Sequence, residues 1–163
     1  ALAIALSRKA EQAQIRVTLW GRDAAQLARI RESRCNVRYL PSSQIPEGVQ
    51  LQSDLDATLR QAEIAIVATP ISAFRSMLKL LRARGFRGGV VWACKGFEPD
   101  TAKLPHQIFA DELAGLQCGV LSGPSFATEV AEDLPTALTL ASSDLSFVRA
   151  WAARFHRPNL RIY

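Results

Sequence analysis

Val90-Val-Trp-Ala-Cys-Lys-Gly-Phe-Glu-Pro99 is the stretch on which the reading of this chain turns. Val90 to Ala93 is a short apolar run bounded by Gly88-Gly89 before it and Gly96 after it, the pattern of a buried strand. Lys95 sits where that strand runs out, beside a glycine that lets the backbone turn sharply. In an open α/β sheet, ligands collect outside the carboxyl ends of the strands. Lys95 therefore reads in two ways, as a solvated loop charge or as a cation facing a bound anion.

Downstream, Gln117 to Leu121 is a second strand, ending in Ser122-Gly-Pro-Ser-Phe-Ala127. Gly123 permits a close backbone approach, and Pro124 with Ser125 can open a helix whose free N–H groups face an anion. The same residues also make an ordinary glycine-proline turn with a serine cap. Upstream, Ile64 to Ala68 is a buried strand broken by Thr69-Pro70, and Ile71, Phe74, Leu78 and Leu81 form a helical core stripe. A helix from about Lys103 to Leu113 joins the two central strands, with Pro105 tolerable in its first turn.

Towards the N-terminus, Ala1 to about Ala13 reads as a small-residue helix and Ile15 to Trp20 as an alternating strand. Gly21-Arg22-Asp23 ends that strand, with Asp23 placed to cap a helix presenting Ala24, Leu27, Ala28 and Arg31 on one face. Cys35 to Pro46 reads as a loop and Leu55 to Gln61 as a short helix. Thr136 to Ala141 is a further strand, Leu145, Val148, Ala152 and Phe155 mark the last helix, and Leu160 to Tyr163 a last short strand. Strands alternating with helices predict one α/β domain with a doubly wound, mostly parallel sheet. At the end of the second strand of a dinucleotide-binding fold, an acidic residue suits the ribose of NAD and an arginine the extra phosphate of NADP. Arg22 holds that place, or is a loop charge.

Bulk properties narrow the field. The chain has 163 residues, 48% hydrophobic and 21% charged, enough for a proper core. Its net charge of +5 suits acidic or phosphorylated partners. The arginines are scattered, however, with no basic ladder interleaved with aromatics, which argues against a nucleic-acid module. Cys35, Cys94 and Cys118 have no metal-ligand spacing and are odd in number, the usage of reduced thiols in a cytoplasmic protein. No metal site, signal peptide or membrane-spanning run is expected.

The motifs, taken together, carry a resemblance. Ala1-Leu-Ala-Ile-Ala-Leu6, Leu19-Trp-Gly-Arg22, Arg34-Cys-Asn-x-x-Tyr39-Leu-Pro, Trp92-Ala-Cys-Lys-Gly-Phe-Glu98, Ser122-Gly-Pro-Ser-Phe-Ala127, Leu134-Pro-Thr-Ala and Arg161-Ile-Tyr163 follow one another in the order found in bacterial NAD(P)-dependent glycerol-3-phosphate dehydrogenases. The chain resembles the N-terminal cofactor-binding domain of that family nearly end to end. The resemblance implies a Rossmann-like fold and interconversion of sn-glycerol 3-phosphate and dihydroxyacetone phosphate with NADP or NAD, feeding glycerophospholipid synthesis. It implies that Arg22 and Tyr39 lie at the adenosine end of the cofactor and that Ala127 also contacts the cofactor. Lys95 would touch both cofactor and substrate, with Gly123 and Ser125 on the substrate side.

Two departures qualify the resemblance. The family opens with a strand and a G-x-G-x-x-G loop, and this chain begins after them. The family continues into a helical substrate domain carrying the general acid/base lysine, and this chain stops at Tyr163, before it. Residues 1–163 are thus expected to be a partial NAD(P)-binding domain with no catalytic acid/base of its own, its central strand edges left open, and the isolated polypeptide inactive. A longer turn around Ala10 to Gln14 is a smaller departure. A homodimer is one assembly open to the full-length enzyme. Alternative readings are a dehydrogenase of a related hydroxy acid or sugar acid, and an inactive nucleotide-binding fragment.

Overall fold

The computed structural model describes residues 1–8 and 15–163. They form two compact units: Ala1–Arg60, Gly123–Thr139 and Arg149–Tyr163 make unit 1, and Gln61–Ser122 with Leu140–Val148 make unit 2.

Unit 2 is built on parallel strands. β5 (Ile64–Val67), β6 (Gly89–Trp92) and β7 (Cys118–Ser122) pair in that order, with Val67 opposite Trp92 and Trp92 opposite Val120. Every residue of β6 is buried, as an inner parallel strand covered on both faces requires. On one face Trp92 lies between Phe74 of α4 (Ile71–Ala83) and Phe109 of α5 (Pro105–Leu113), at ring-centroid distances of 5.7 and 5.6 Å. The opposite face carries glycines because an aromatic ring needs the room. A Cβ on Gly89 would stand 2.6 Å from the Phe147 ring, and one on Gly119 would stand 3.3 Å from it. The α4 stripe is the expected one, Phe74, Leu78 and Leu81 being buried. Pro105 occupies the first turn of α5, where its missing N–H costs nothing.

Unit 1 pairs β1 (Val17–Trp20) with β4 (Val49–Gln52) in parallel, Val17 opposite Val49. Asp23 caps α2 (Ala24–Ser33), its carboxylate accepting from the Gln26 N–H at 2.9 Å. Leu27 and Ile30 are the buried residues of that helix, while Ala24, Ala28 and Arg31 are exposed, so the expected apolar face is rotated. Ile30 packs with Ile4, Leu40, Ile45, Val49 and Ala131 in the core of this unit. α3 (Leu55–Leu59) is capped by Asp54, which accepts from the Asp56 and Ala57 N–H groups. β8 (Thr136–Ala141), running on from unit 1 into unit 2, pairs in parallel with β9 (Leu160–Ile162), Thr136 opposite Leu160.

Several expectations are corrected. Cys35 to Pro46 is a hairpin, not a loop: β2 (Cys35–Asn36) runs antiparallel to β3 (Leu40–Gln44). Arg34 holds it down, in the left-handed region at φ 52°, its guanidinium donating to the carbonyls of Ile45, Pro46 and Val49. β4 has no counterpart among the expected strands. The first helix, α1, covers Leu2–Ser7, with Arg8 extended; its expected continuation to Ala13, and the turn around Ala10 to Gln14, lie outside the described residues. In α7 (Leu145–Phe155), Phe155 is buried as expected, but Leu145 is exposed, Val148 and Ala152 are half-buried, and Phe147 and Trp151 are the other buried residues. The mostly parallel α/β architecture stands: β1–β4, β5–β6, β6–β7 and β8–β9 are parallel pairs, and the β2–β3 hairpin is antiparallel.

One buried cation ties unit 1 together. Arg157 is 2% exposed and faces carbonyl groups: Leu6 at 2.8 Å, Arg8 at 3.0 Å, Arg154 at 2.8 Å and His156 at 2.7 Å. A buried acceptor stripped of its donor costs about 1–3 kcal/mol. Arg157→Met is therefore expected to lower the unfolding free energy by several times that of the exposed Arg149→Met, which should stay within about 0.5 kcal/mol. Urea denaturation followed by circular dichroism compares the two, and equal effects would mean the carbonyl cage contributes nothing.

Candidate functional site

Because β5, β6 and β7 are parallel, their carboxyl ends open at one edge of unit 2, the edge where ligands bind in such sheets. Lys95 stands there, exposed, three residues past the end of β6. Cys94 beside it is buried, and burial pushes its thiol up, away from the thiolate a nucleophile needs. Gly96 takes φ +92°, a conformation costly for other residues. Phe97 is exposed and Glu98 turns back into the protein.

Glu98 meets a fork. Arg75 of α4 donates from Nε to Glu98 Oε1 at 2.8 Å and from Nη2 to Oε2 at 2.7 Å, while Thr101 Oγ1 donates to Oε2 at 2.6 Å. Arg75 Nη1 also reaches Glu112 Oε1 at 2.8 Å and Asp111 Oδ2 at 3.0 Å on α5. Arg82 at 3.0 Å from Glu112, and Lys103 at 2.7 Å from Asp111, balance the remaining charge. The Arg75 hydrogen bonds, followed by that from Thr101, hold the Glu98 carboxyl down at about 2. Sequence reading misses this cluster because its members lie on three separate elements. The only local hint is an arginine on a helix whose other stripe residues are apolar.

At the end of β5, the Thr69 hydroxyl is buried without a hydrogen-bond partner among the described residues. A group so placed calls for explanation.

The other expected site residues belong to unit 1. Arg22 is exposed in the bend after β1, between Gly21 and the capping Asp23. Tyr39 is 64% exposed at the turn of the β2–β3 hairpin, with the Arg38 guanidinium 5.0 Å from its ring centroid. Arg22 and Tyr39 are linked through their neighbours: Gln26 donates to Asn36 Oδ1 at 3.4 Å, and the Tyr39 N–H donates to the Asn36 carbonyl at 3.1 Å. An exposed ring beside a guanidinium offers a surface for stacking, and an exposed arginine a planar charged fork.

Gly123 makes its close approach to protein. A Cβ there would lie 2.6 Å from the Ala137 carbonyl oxygen on β8. Ser125 is half-buried and Ala127 exposed. The helix expected to open at Pro124 and Ser125 begins later, as α6 (Ala127–Ala131), with Phe126 at its cap. Glu129 folds back to accept from the Phe126 N–H at 3.0 Å. A carboxylate thus takes the N–H of the cap residue, and the helix opens two to three residues later than expected.

No described helix is long and apolar enough to cross a membrane, and no cluster of metal-ligating side chains occurs among the described residues. The family model described as NAD-dependent glycerol-3-phosphate dehydrogenase N-terminus matches residues 1–148. The glycerol-3-phosphate dehydrogenase (NAD(P)+) of Aromatoleum aromaticum is 44% identical over 164 residues, covering 100% of this chain and 48% of the relative. The enzyme of that name from Thiobacillus denitrificans is 47% identical over 148 residues, 90% of this chain and 45% of the relative. The crystal structure of glycerol-3-phosphate dehydrogenase from Coxiella burnetii superposes with a TM-score of 0.87 at 32% identity, over 99% of this chain and 49% of that one. The chain spans about half the length of the curated relatives it matches.

The Glu98 geometry has a pH signature. Its carboxyl is held below the ordinary 4.5, at about 2, so its contribution to stability is complete above 4.5 and is lost as pH falls towards 2. The urea midpoint should drop across that window, and Glu98→Gln should drop less steeply. Parallel curves for the two proteins would show that the Glu98 carboxylate is not linked to folding.

Proposed function

From the premise that this chain belongs to the family of the NAD-dependent glycerol-3-phosphate dehydrogenase N-terminus, we propose that it is the cofactor-binding domain of a cytoplasmic enzyme. That enzyme interconverts sn-glycerol 3-phosphate and dihydroxyacetone phosphate. The observation that carries the reading is Lys95, a cation at the carboxyl end of a fully buried parallel strand. Arg22 and Tyr39 would hold the adenosine end of NADP or NAD, and Ala127 another part of it. Gly123 and Ser125 would border the substrate. A second domain, carrying the general acid/base lysine, would complete the site, in keeping with the half-length match to the relatives.

The residues present suit that chemistry. The nicotinamide cofactor, when bound, supplies the hydride. Lys95, exposed just past a strand end, would stabilise negative charge developing on a ketone oxygen. The ammonium also attracts a phosphorylated substrate, as does the +5 charge of the chain. Arg22, being planar and always charged, could bind a 2′-phosphate in a forked geometry, which favours NADP. Asp23 is engaged as a helix cap through Oδ1, which leaves its second carboxylate oxygen to meet a ribose hydroxyl of either cofactor.

The test is consumption of NADPH and of NADH by the complete enzyme with dihydroxyacetone phosphate. Turnover is expected with both, faster with NADPH. Lys95→Ala should lower kcat/KM by about 100–1,000-fold while the circular dichroism spectrum is unchanged, because Lys95 is exposed. Absence of turnover with either cofactor would leave the substrate wrongly named. A Lys95→Ala enzyme of normal rate would remove Lys95 from the site.

A further inference from the structure

We propose that Arg75, acting through Glu98, is the positioning residue that fixes Lys95 at the sheet edge. The inference rests on the role given to Lys95 above and adds what holds it in place.

Lys95 lies in a very short span between two anchors. On one side the Ala93 N–H donates to the Val67 carbonyl at 3.1 Å, extending the β5–β6 ladder one residue past β6. On the other side Glu98 is fixed through backbone and side chain together. Its N–H donates to the Lys103 carbonyl at 2.9 Å, its carbonyl accepts from the Ala102 N–H at 3.0 Å, and both carboxylate oxygens meet Arg75. Cys94, Lys95, Gly96 and Phe97 alone lie between these anchors. Gly96 at φ +92° is the turn that lets so short a span close, and it is also the residue with the most conformational freedom to lose its shape if an anchor goes.

Three features single out Arg75. A bidentate fork fixes direction as well as distance, which a lysine ammonium cannot do. The same guanidinium is itself held from α5 by Glu112 and Asp111, so the loop is referenced to two helices rather than to one mobile side chain. The side chains of Glu98 and Glu112 are largely buried, at 11% and 7% exposure, so solvent does not loosen the pair as it does at a surface. The arrangement is larger than a loop anchor alone needs. It has the form of a support built behind a functional group.

Displacing a reacting group by about 1 Å can cost about 100-fold in rate. In the complete enzyme, Arg75→Ala is expected to lower kcat/KM for dihydroxyacetone phosphate by about that factor. Arg75→Lys, which keeps the charge and loses the fork, should recover only part. The decisive measurement is the cycle with Lys95→Ala. If Arg75 works through Lys95, adding Arg75→Ala to the Lys95→Ala enzyme produces little further loss. Amide hydrogen exchange provides the second readout. The Glu98 and Ala102 amides, hydrogen-bonded within the anchor, should exchange faster in Arg75→Ala, while β5 and β6 keep their protection. Should Arg75→Ala fail to fold, Glu98→Gln carries the same cycle with a side chain of the same size.

Full additivity of the two losses, or unchanged exchange at Glu98 and Ala102, would overturn the positioning role while leaving the function of Lys95 intact. A normal rate in Lys95→Ala alone would instead strike at the reading of the preceding subsection, and at this one with it.

Discussion

A parallel strand closed in on both faces has no room for a polar side chain, and β6 obeys that constraint at every position. Trp92 is stacked on Phe109 and meets Phe74 at a tilt, and Gly89 is bare because Phe147 takes its place. Burial on this scale contributes about 1.5–3 kcal/mol per large apolar side chain. It also dictates where chemistry can sit. Groups that must meet a ligand are pushed past the strand end, and Lys95 is the first charged residue beyond it. Core packing and site placement are therefore two results of a single constraint.

The acidic and basic residues around Arg75 answer a different problem. α4 and α5 pack against each other over β6 and carry Arg75, Lys79, Arg82, Asp111 and Glu112 towards a common seam. Buried charges are costly unless paired, and here each carboxylate has more than one cation near it. Glu98 and Lys103 are the members of this network that do not come from a helix, and through Glu98 the network reaches the loop. Charge pairing between helices thereby becomes geometry at the sheet edge.

Much of this is legible in the sequence, and the exceptions are instructive. Period and punctuation place β5, β6, β7, α4 and α5, because long apolar stripes and Gly or Pro boundaries leave few alternatives. β4 escapes because Val49-Gln-Leu-Gln52 has only two apolar residues, and its partner β1 lies 32 residues earlier, a pairing no local pattern announces. The hairpin is hidden by Pro41, which a two-stranded ribbon tolerates at its edge. In α7 two overlapping stripes are available, and the bulk of Phe147 and Trp151 decides for the one that fills the core. At Ser122 to Ala127 the local signal for an open helix end is sound, but Glu129 competes for it. As for the candidate site, the residues themselves are readable, and their support is not: Arg75, Glu98, Asp111 and Glu112 meet only after α4 and α5 have packed.

Arg157 draws together carbonyls from the ends of α1 and α7, two helix termini that carry partial negative charge and share one counter-ion. The bond to Leu6 joins residues 151 apart in sequence, and unit 1 itself is drawn from three separate stretches of chain. Contacts of such separation are slow to form, since loop closure must come first. During synthesis the Ala1–Arg60 stretch must wait, its α1 carbonyls uncovered, until Arg157 has left the ribosome. The α1 carbonyls are thus among the last groups of unit 1 to find their partner, whereas Gln61–Ser122 can begin to assemble from a single continuous run.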